Sequence, residues 1–385
     1  MRCAAIFQLA TFSVALLACN KQKIADDGVD TGPAEDEYAS HDLGSWLSMK
    51  ANADGTAAIA YYDRTSDALG YAVGTISGSS VTWAREKVDS YPDENGLNPG
   101  DSGKYASMAI AADGTTWIAY QDTSNGTLKY ATKPKGGSWT TGIADIGGGA
   151  HSDAGYWASI ALDPSGSPVI AHYDAGKKNL RVTRWNGTAF AGAVAVEGED
   201  YVPADTATAA ADAQTGEYCK LLIDSSGKEY LAFYDRAQTA LKLATGTGTS
   251  WSVEVVDDSG DVGQWPDLAM DGAMLYISYH DVEKQDLKLA KGTPGNFAIE
   301  TLDSGELKGA DSAIVISAGA AHIAYFDGLG NDIMVASPSG SNFTYSKLAG
   351  DEGALGYFNE VATIGSKNYA ACYDYTSRKV WFGSL

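Results

Sequence analysis

The chain has 385 residues, 44% of them hydrophobic, with 44 glycines and a formal charge of -22 at pH 7. That is enough apolar material for a large core, and the length would admit two or three domains. The acidity excludes a nucleic-acid footprint, which needs a basic surface, and disfavours docking on an anionic membrane surface. It suits a self-repelling soluble surface, or one that meets cations or basic partners.

Residues 1–18 read as a signal peptide: Arg2 supplies the positive start, and Ala4 to Ala18 is an apolar run too short to span a bilayer comfortably. The run ends in Leu16-Leu17-Ala18-Cys19, which resembles the bacterial lipobox. The resemblance implies a lipoprotein whose Cys19 is acylated (palmitate-type) and becomes the new N-terminus. With Asn20 next, it implies lipid anchoring at the outer membrane, facing the periplasm or the cell surface. Residues 19–35 are polar and acidic and read as a flexible tether.

From residue 36 onward one phrase recurs seven times: Ala58-Ile-Ala-Tyr-Tyr-Asp63, Trp117-Ile-Ala-Tyr-Gln-Asp122, Val169-Ile-Ala-His-Tyr-Asp174, Tyr230-Leu-Ala-Phe-Tyr-Asp235, Tyr276-Ile-Ser-Tyr-His-Asp281, His322-Ile-Ala-Tyr-Phe-Asp327 and Tyr369-Ala-Ala-Cys-Tyr-Asp374. The closing aspartates lie 59, 52, 61, 46, 46 and 47 residues apart, and the shorter spacings match one four-stranded blade. Before each phrase stands an apolar run and a turn. After it come a polar turn, a short strand such as Leu241-Lys-Leu-Ala244, and a fourth alternating segment such as Trp251-Ser-Val-Glu-Val-Val-Asp257. No helical periodicity intervenes. The expectation is an all-β, seven-bladed β-propeller over residues 36–385. The last repeat lacks a fourth strand, and Glu37-Tyr-Ala-Ser-His-Asp-Leu43 is expected to supply it, closing the ring by pairing with the C-terminal blade.

The repeat architecture resembles bacterial β-propellers of the broad sialidase-like, BNR-repeat kind. The likeness is one of fold, because the group's Ser-x-Asp-x-Gly-x-x-Trp box is not reproduced: in Ala111-Ala-Asp-Gly-Thr-Thr-Trp117 the Asp and Gly are adjacent. Fold alone does not assign function.

The candidate chemistry lies on the face that carries the channel mouth. The seven aspartates that open the second-to-third-strand turns suit backbone capping; Asp122 and Asp174 are also ligand-binding candidates. Aromatics precede the first strands: Trp46, Tyr105, Trp157, Tyr218, Trp265 and Phe358, with Ala310 breaking the series. Tyr105, Trp157 and Trp265 are the stacking candidates for a sugar or peptide. Three long loops, 90–103, 144–155 and 197–216, crowd one side of the mouth, where function concentrates. A catalytic site, if there is one, would use His151 and His172 with the phenol of Tyr105 or Tyr173; His280 stands in a different blade. Two oxygen-rich turns suit weak Ca²⁺ binding: Asp93, Asn95 and Asp101, and Asp257 with Asp261. No other cofactor is expected. Cys219 and Cys372 fall in non-adjacent blades and read as buried free thiols rather than a disulfide. Together these features point first to a monomeric binding module for a glycan, peptide or protein, with no nucleic acid partner. The alternative is a glycan-active lyase or hydrolase with a His/Tyr or His/carboxylate site at the channel mouth.

Overall fold

The computed structural model describes residues 37–148, 152–198, 214–340, 342–350 and 353–385. The signal peptide, Cys19, the tether, His151 and most of the 197–216 loop lie outside the described residues. Strands order themselves into six four-stranded antiparallel sheets and one three-stranded sheet, each in simple meander order. Among the described residues there is no helix. The innermost strands run Leu43–Ala51, Ser102–Ile110, Tyr156–Leu162, Thr215–Ile223, Val262–Asp271, Lys308–Ser317 and Tyr357–Ile364. Each packs against the first strand of the next blade, and the last packs against the first, so the ring is closed.

The repeated phrase is the second strand of each blade. In the first four blades it is buried along its whole length, because neighbouring blades cover both sheet faces. Its alternation of large and small residues has a packing cause. Ile118 and Tyr120 face back into the seam with blade one, while Ala119 faces forward into the seam with blade three. Leu231 with Phe233, and Ile277 with Tyr279, likewise face back, and Ala232 faces forward. Small residues on the forward face make room for the next blade's large ones, so the seams interdigitate. The sixth seam differs: Ala370 and Cys372 replace the large pair and cluster with Ala324, Ile333 and Leu355. Cys219 and Cys372 are both buried free thiols, as expected, and burial pushes the Cys219 thiol up to about 12.

Ring closure departs from the expected strand exchange. The seventh sheet has three strands, and residues 37–42 form turns. They act as a clasp: the Lys379 ammonium donates to the carbonyls of Tyr38 (2.8 Å) and His41 (2.6 Å), and the Tyr373 hydroxyl donates to Asp42 Oδ1 at 2.7 Å. Tyr38 is buried beside Trp83 and Phe382, between the seventh and first blades. With the Tyr38 and His41 carbonyls gathered on one ammonium, the segment runs as turns instead of a ladder with the last strand, and Ser40-His41-Asp42 is turn chemistry.

Candidate functional site

Each first strand begins with the same device. A glycine in the left-handed region (Gly44, Gly103, Gly155, Gly216, Gly263, Gly309, Gly356) is followed two residues later by a non-glycine residue that also has positive φ. Those residues are Trp46, Tyr105, Trp157, Tyr218, Trp265, Asp311 and Phe358, with φ between 46° and 56°. The first-to-second-strand register shifts here in every blade, for example between Ser45 and Ser48, as at a β-bulge that re-aims a side chain. The glycines are required for a second reason. A Cβ on Gly103, Gly216, Gly263 or Gly309 would lie 2.9, 2.9, 2.6 or 2.6 Å from the Cα of Leu69, Leu180, Leu241 or Leu287, on the preceding blade's third strand.

The re-aimed residues surround the channel mouth. Ring centroids are 5.3 Å apart for Phe358–Trp46, then 5.4, 5.6, 4.6 and 5.0 Å through Tyr105, Trp157, Tyr218 and Trp265. Six aromatics thus form a continuous arc, and the seventh position is Asp311. The sequence placed the break at Ala310; the Gly309-x-Asp311 spacing, equal to Gly44-x-Trp46, corrects the register by one residue. The Gly-x-aromatic spacing was visible in the sequence and would have given this.

Beneath the arc is a cavity of about 130 Å³ with residues of all seven first strands on its wall. One step inward, residues stitch the blades together: Cys219 Sγ donates to Trp157 O, Ser312 Oγ to Trp265 O (both 3.0 Å), and Asn359 Nδ2 to Asp311 O at 2.9 Å. A step further, Ser48, Ser107 and Ser159 accept the backbone N–H of Met108, Ile160 and Leu221 in the next blade. Asp267 does the same for Ile314. Lys220 occupies this position in blade four and cannot accept. Its ammonium lies instead 3.3 Å from Glu360 Oε1 and 3.7 Å from Asp267 Oδ1, and Lys50 approaches Glu360 Oε2 at 3.7 Å. Burial works to lower the Lys220 ammonium, and the two carboxylates more than reverse it, so it stays charged. Burial raises Asp311 to about 6, against the Phe358 N–H and Lys220.

The other candidates divide by position. All seven repeated aspartates cap their turns: Oδ1 of Asp63, Asp122, Asp174, Asp235, Asp281, Asp327 and Asp374 accepts the N–H three residues on. Asp174 also accepts from Asp153 N and Gly148 N. His172 lies in a seam, with no exposed surface. Its Nδ1 accepts Gly155 N–H at 3.2 Å, so Nε2 carries the proton and donates to Asp145 Oδ2 at 3.0 Å. Arg181 Nε donates to the same oxygen at 3.0 Å.

This triad repeats with other residues: Asp89–Tyr120–Lys129 in the first seam and Asp257–Tyr279–Lys288 in the fourth. His172 therefore fills a tyrosine's structural slot. Tyr173 is buried against Trp157, 5.7 Å between rings. Burial pushes the phenols of Tyr105 and Tyr173 above their ordinary value, away from the near-neutral range of a general base. His280 packs on Trp265 at 5.6 Å, and burial lowers it to about 4 despite Asp281.

The calcium candidates are engaged separately. Asp93 Oδ1 accepts Asn95 N and Leu97 N; Asp101 takes Tyr62 and Lys104; Asp257 takes Tyr279 and Lys288; Asp261 takes Tyr234. Among the described residues, no group of three or more His, Cys, Asp or Glu side chains is arranged to hold a metal.

Fold and site together define a seven-bladed β-propeller with an aromatic-rimmed, charge-floored channel mouth. No family model and no curated protein matches the chain. Solved structures do. The β-propeller domain of Cps50 (Swd1) from Myceliophteria thermophila is 11% identical with a TM-score of 0.58, covering 89% of this chain and 98% of that one. A prolyl endopeptidase structure is 9% identical with a TM-score of 0.54, covering 90% of this chain and 50% of that one. The Hadza microbial sialidase Hz136 is 12% identical with a TM-score of 0.45, covering 89% and 65%. At these identities the likeness is one of fold alone, that of a β-propeller.

Proposed function

We propose that this chain is an exported lipoprotein, tethered through Cys19 to the bacterial outer membrane, that binds a ligand at the aromatic mouth of its propeller. The observation that carries the reading is the six-residue aromatic arc. A left-handed backbone at each position is costly for a non-glycine residue, about 1–3 kcal/mol, and the fold meets that cost in all seven blades, six of which hold a partly exposed ring at one opening. Packing alone would be served by extended strands with buried rings. Catalysis ranks second, because among the described residues His172 has both nitrogens occupied inside a seam, and the Tyr105 and Tyr173 phenols are shifted away from general-base range. A monomer presenting one such mouth is sufficient for a glycan, peptide or protein ligand, and nothing in the reading calls for a metal.

The purified mature protein, screened on glycan and peptide arrays, is expected to retain ligands that Trp157→Ala loses by tenfold or more. An unchanged array profile for Trp157→Ala would remove the mouth from the reading. In cell fractionation, Cys19→Ala is expected to move the protein out of the membrane fraction; retention there would remove the anchor.

A further inference from the structure

Resting on that reading, we infer that the group the mouth receives is an ammonium, from a primary or a methylated amine, seated against Asp311 with the aromatic rings around it. Four observations converge. The aromatic arc is interrupted at one position only, and the residue there is a carboxylate held on the same left-handed backbone as the rings. A cation is attracted to aromatic faces within about 6 Å of the ring centroid and to an anion beside them. A mouth built of six rings and one carboxylate supplies both.

The floor's cations are each drawn first to other carboxylates, so Asp311 feels only the field of Lys220 and has no ion-pair partner of its own. Lys220 is engaged by Glu360 and Asp267, and Lys50 by Glu360. Those two cations and two carboxylates balance, and Asp311 is left as a third carboxylate, met by the Phe358 N–H and the more distant field of Lys220. A partly buried carboxylate of this kind is stabilised by an incoming positive charge.

Asn359 provides the second acceptor. Its Nδ2 donates to Asp311 O and Gly356 O, both at 2.9 Å, which fixes the amide orientation. Its Oδ1 accepts nothing, although the residue is only 7% exposed and lies on the cavity wall. An acceptor left without a donor is costly to bury, and an N–H or N–CH group arriving from the mouth would meet it.

The size of the cavity suits a compact occupant. Pockets for such ligands run to about 300–1,000 Å³, and this cavity is about 130 Å³, room for one compact head group while the rest of the ligand stays on the rim. The formal charge of -22 draws cations toward the surface as a whole.

Trp46, Trp157 and Trp265 make intrinsic fluorescence the readout for titrations of the mature protein. The probes are choline, its uncharged isostere 3,3-dimethylbutan-1-ol, and a short peptide carrying one trimethyl-lysine. Choline is expected to change the emission saturably, and to bind at least tenfold more tightly than the isostere. Asp311→Asn, which keeps the size and most hydrogen bonding of the side chain, is expected to lose at least tenfold for choline while keeping its unliganded emission and melting temperature. A peptide that binds more tightly than choline assigns the head group to a polypeptide; the reverse order assigns it to a small free amine.

Equal binding of choline and the isostere, or an Asp311→Asn protein that binds choline as well as wild type, overturns the ammonium assignment. So does a wild type that ignores both cationic probes while retaining array ligands sensitive to Trp157→Ala, and in that case the mouth stands. Loss of the Trp157→Ala effect on every ligand overturns the mouth itself.

Discussion

Gly263→Ala is expected to destabilise the folded protein by about 2–5 kcal/mol, combining left-handed backbone strain of about 1–2 kcal/mol with overpacking of about 1–3 kcal/mol. The new Cβ would lie 2.6 Å from Leu241 Cα and 2.8 Å from Leu241 N. Those are backbone atoms of blade four and cannot swing aside as a side-chain end would. The backbone at Gly263 has φ +107°, outside the space a Cβ tolerates without strain. Gly55→Ala separates the two contributions. Its φ is +84°, but nothing lies within 4 Å of the added carbon, so it should lose only the strain. Denaturant midpoints followed by tryptophan fluorescence give both values. Equal losses for the two variants would mean that the seam between blades four and five yields, and that close approach is not what selects glycine.

Asp257→Ala is expected to cost about 3–5 kcal/mol, the usual consequence of removing one partner from a buried ion pair. Asp257 and Lys288 have side chains only 5% and 6% exposed, with Nζ 2.6 Å from Oδ2, and the same oxygen accepts the Tyr279 hydroxyl at 2.6 Å. Without the carboxylate, an ammonium and a phenol remain in the seam; Asp281 Oδ2, 3.8 Å from Nζ, is a poor substitute. Replacing both charges, in Asp257→Leu with Lys288→Met, should cost less than Asp257→Ala alone, and a double variant as unstable as the single would sink this account.

The same seams set the acid limit of the fold. Burial works to raise Asp257 and Asp145, but Lys288 and Tyr279 hold the first below its ordinary value, and His172 with Arg181 holds the second down to about 2. Carboxylates depressed in the folded state contribute stability that is fully present above the unfolded value of about 3.9. It is lost as pH falls from there through the folded value. Melting temperature should therefore decline between about pH 4 and pH 2, and Asp145→Asn should flatten that decline.

Much of the candidate site was present in the sequence in a form that only a blade-by-blade alignment resolves. Trp46, Tyr105, Trp157, Tyr218, Trp265 and Phe358 were all identifiable as one series. Aligning that series on its aromatics instead of on the glycine two residues earlier put the break at Ala310. The difference has consequences, because Asp311 is the charged member of the mouth. Lys220, Glu360 and Asn359 carried no signal: each is one substitution in a repeated position, and its partners sit in other blades or in the same turn, with Lys220 and Glu360 140 residues apart in sequence. His172 is the converse case. Its chemistry invited a catalytic reading, and its position in the tyrosine slot of a repeated seam triad assigns it to structure.

The sequence by itself determined the number of blades, the strand order within each and the aspartate turns. These depend on contacts between residues a few positions apart, and local hydrogen bonding and side-chain alternation are written in a short window. It did not determine how blades meet, how the ring closes or which side chains share the channel. Those depend on contacts between strands from different blades, where one lysine's reach for two carbonyls or a glycine's missing Cβ decides the outcome. Residues 37–42 show the difference. Their composition allowed a strand, and the Lys379 ammonium together with the pocket for Tyr38 made them a clasp.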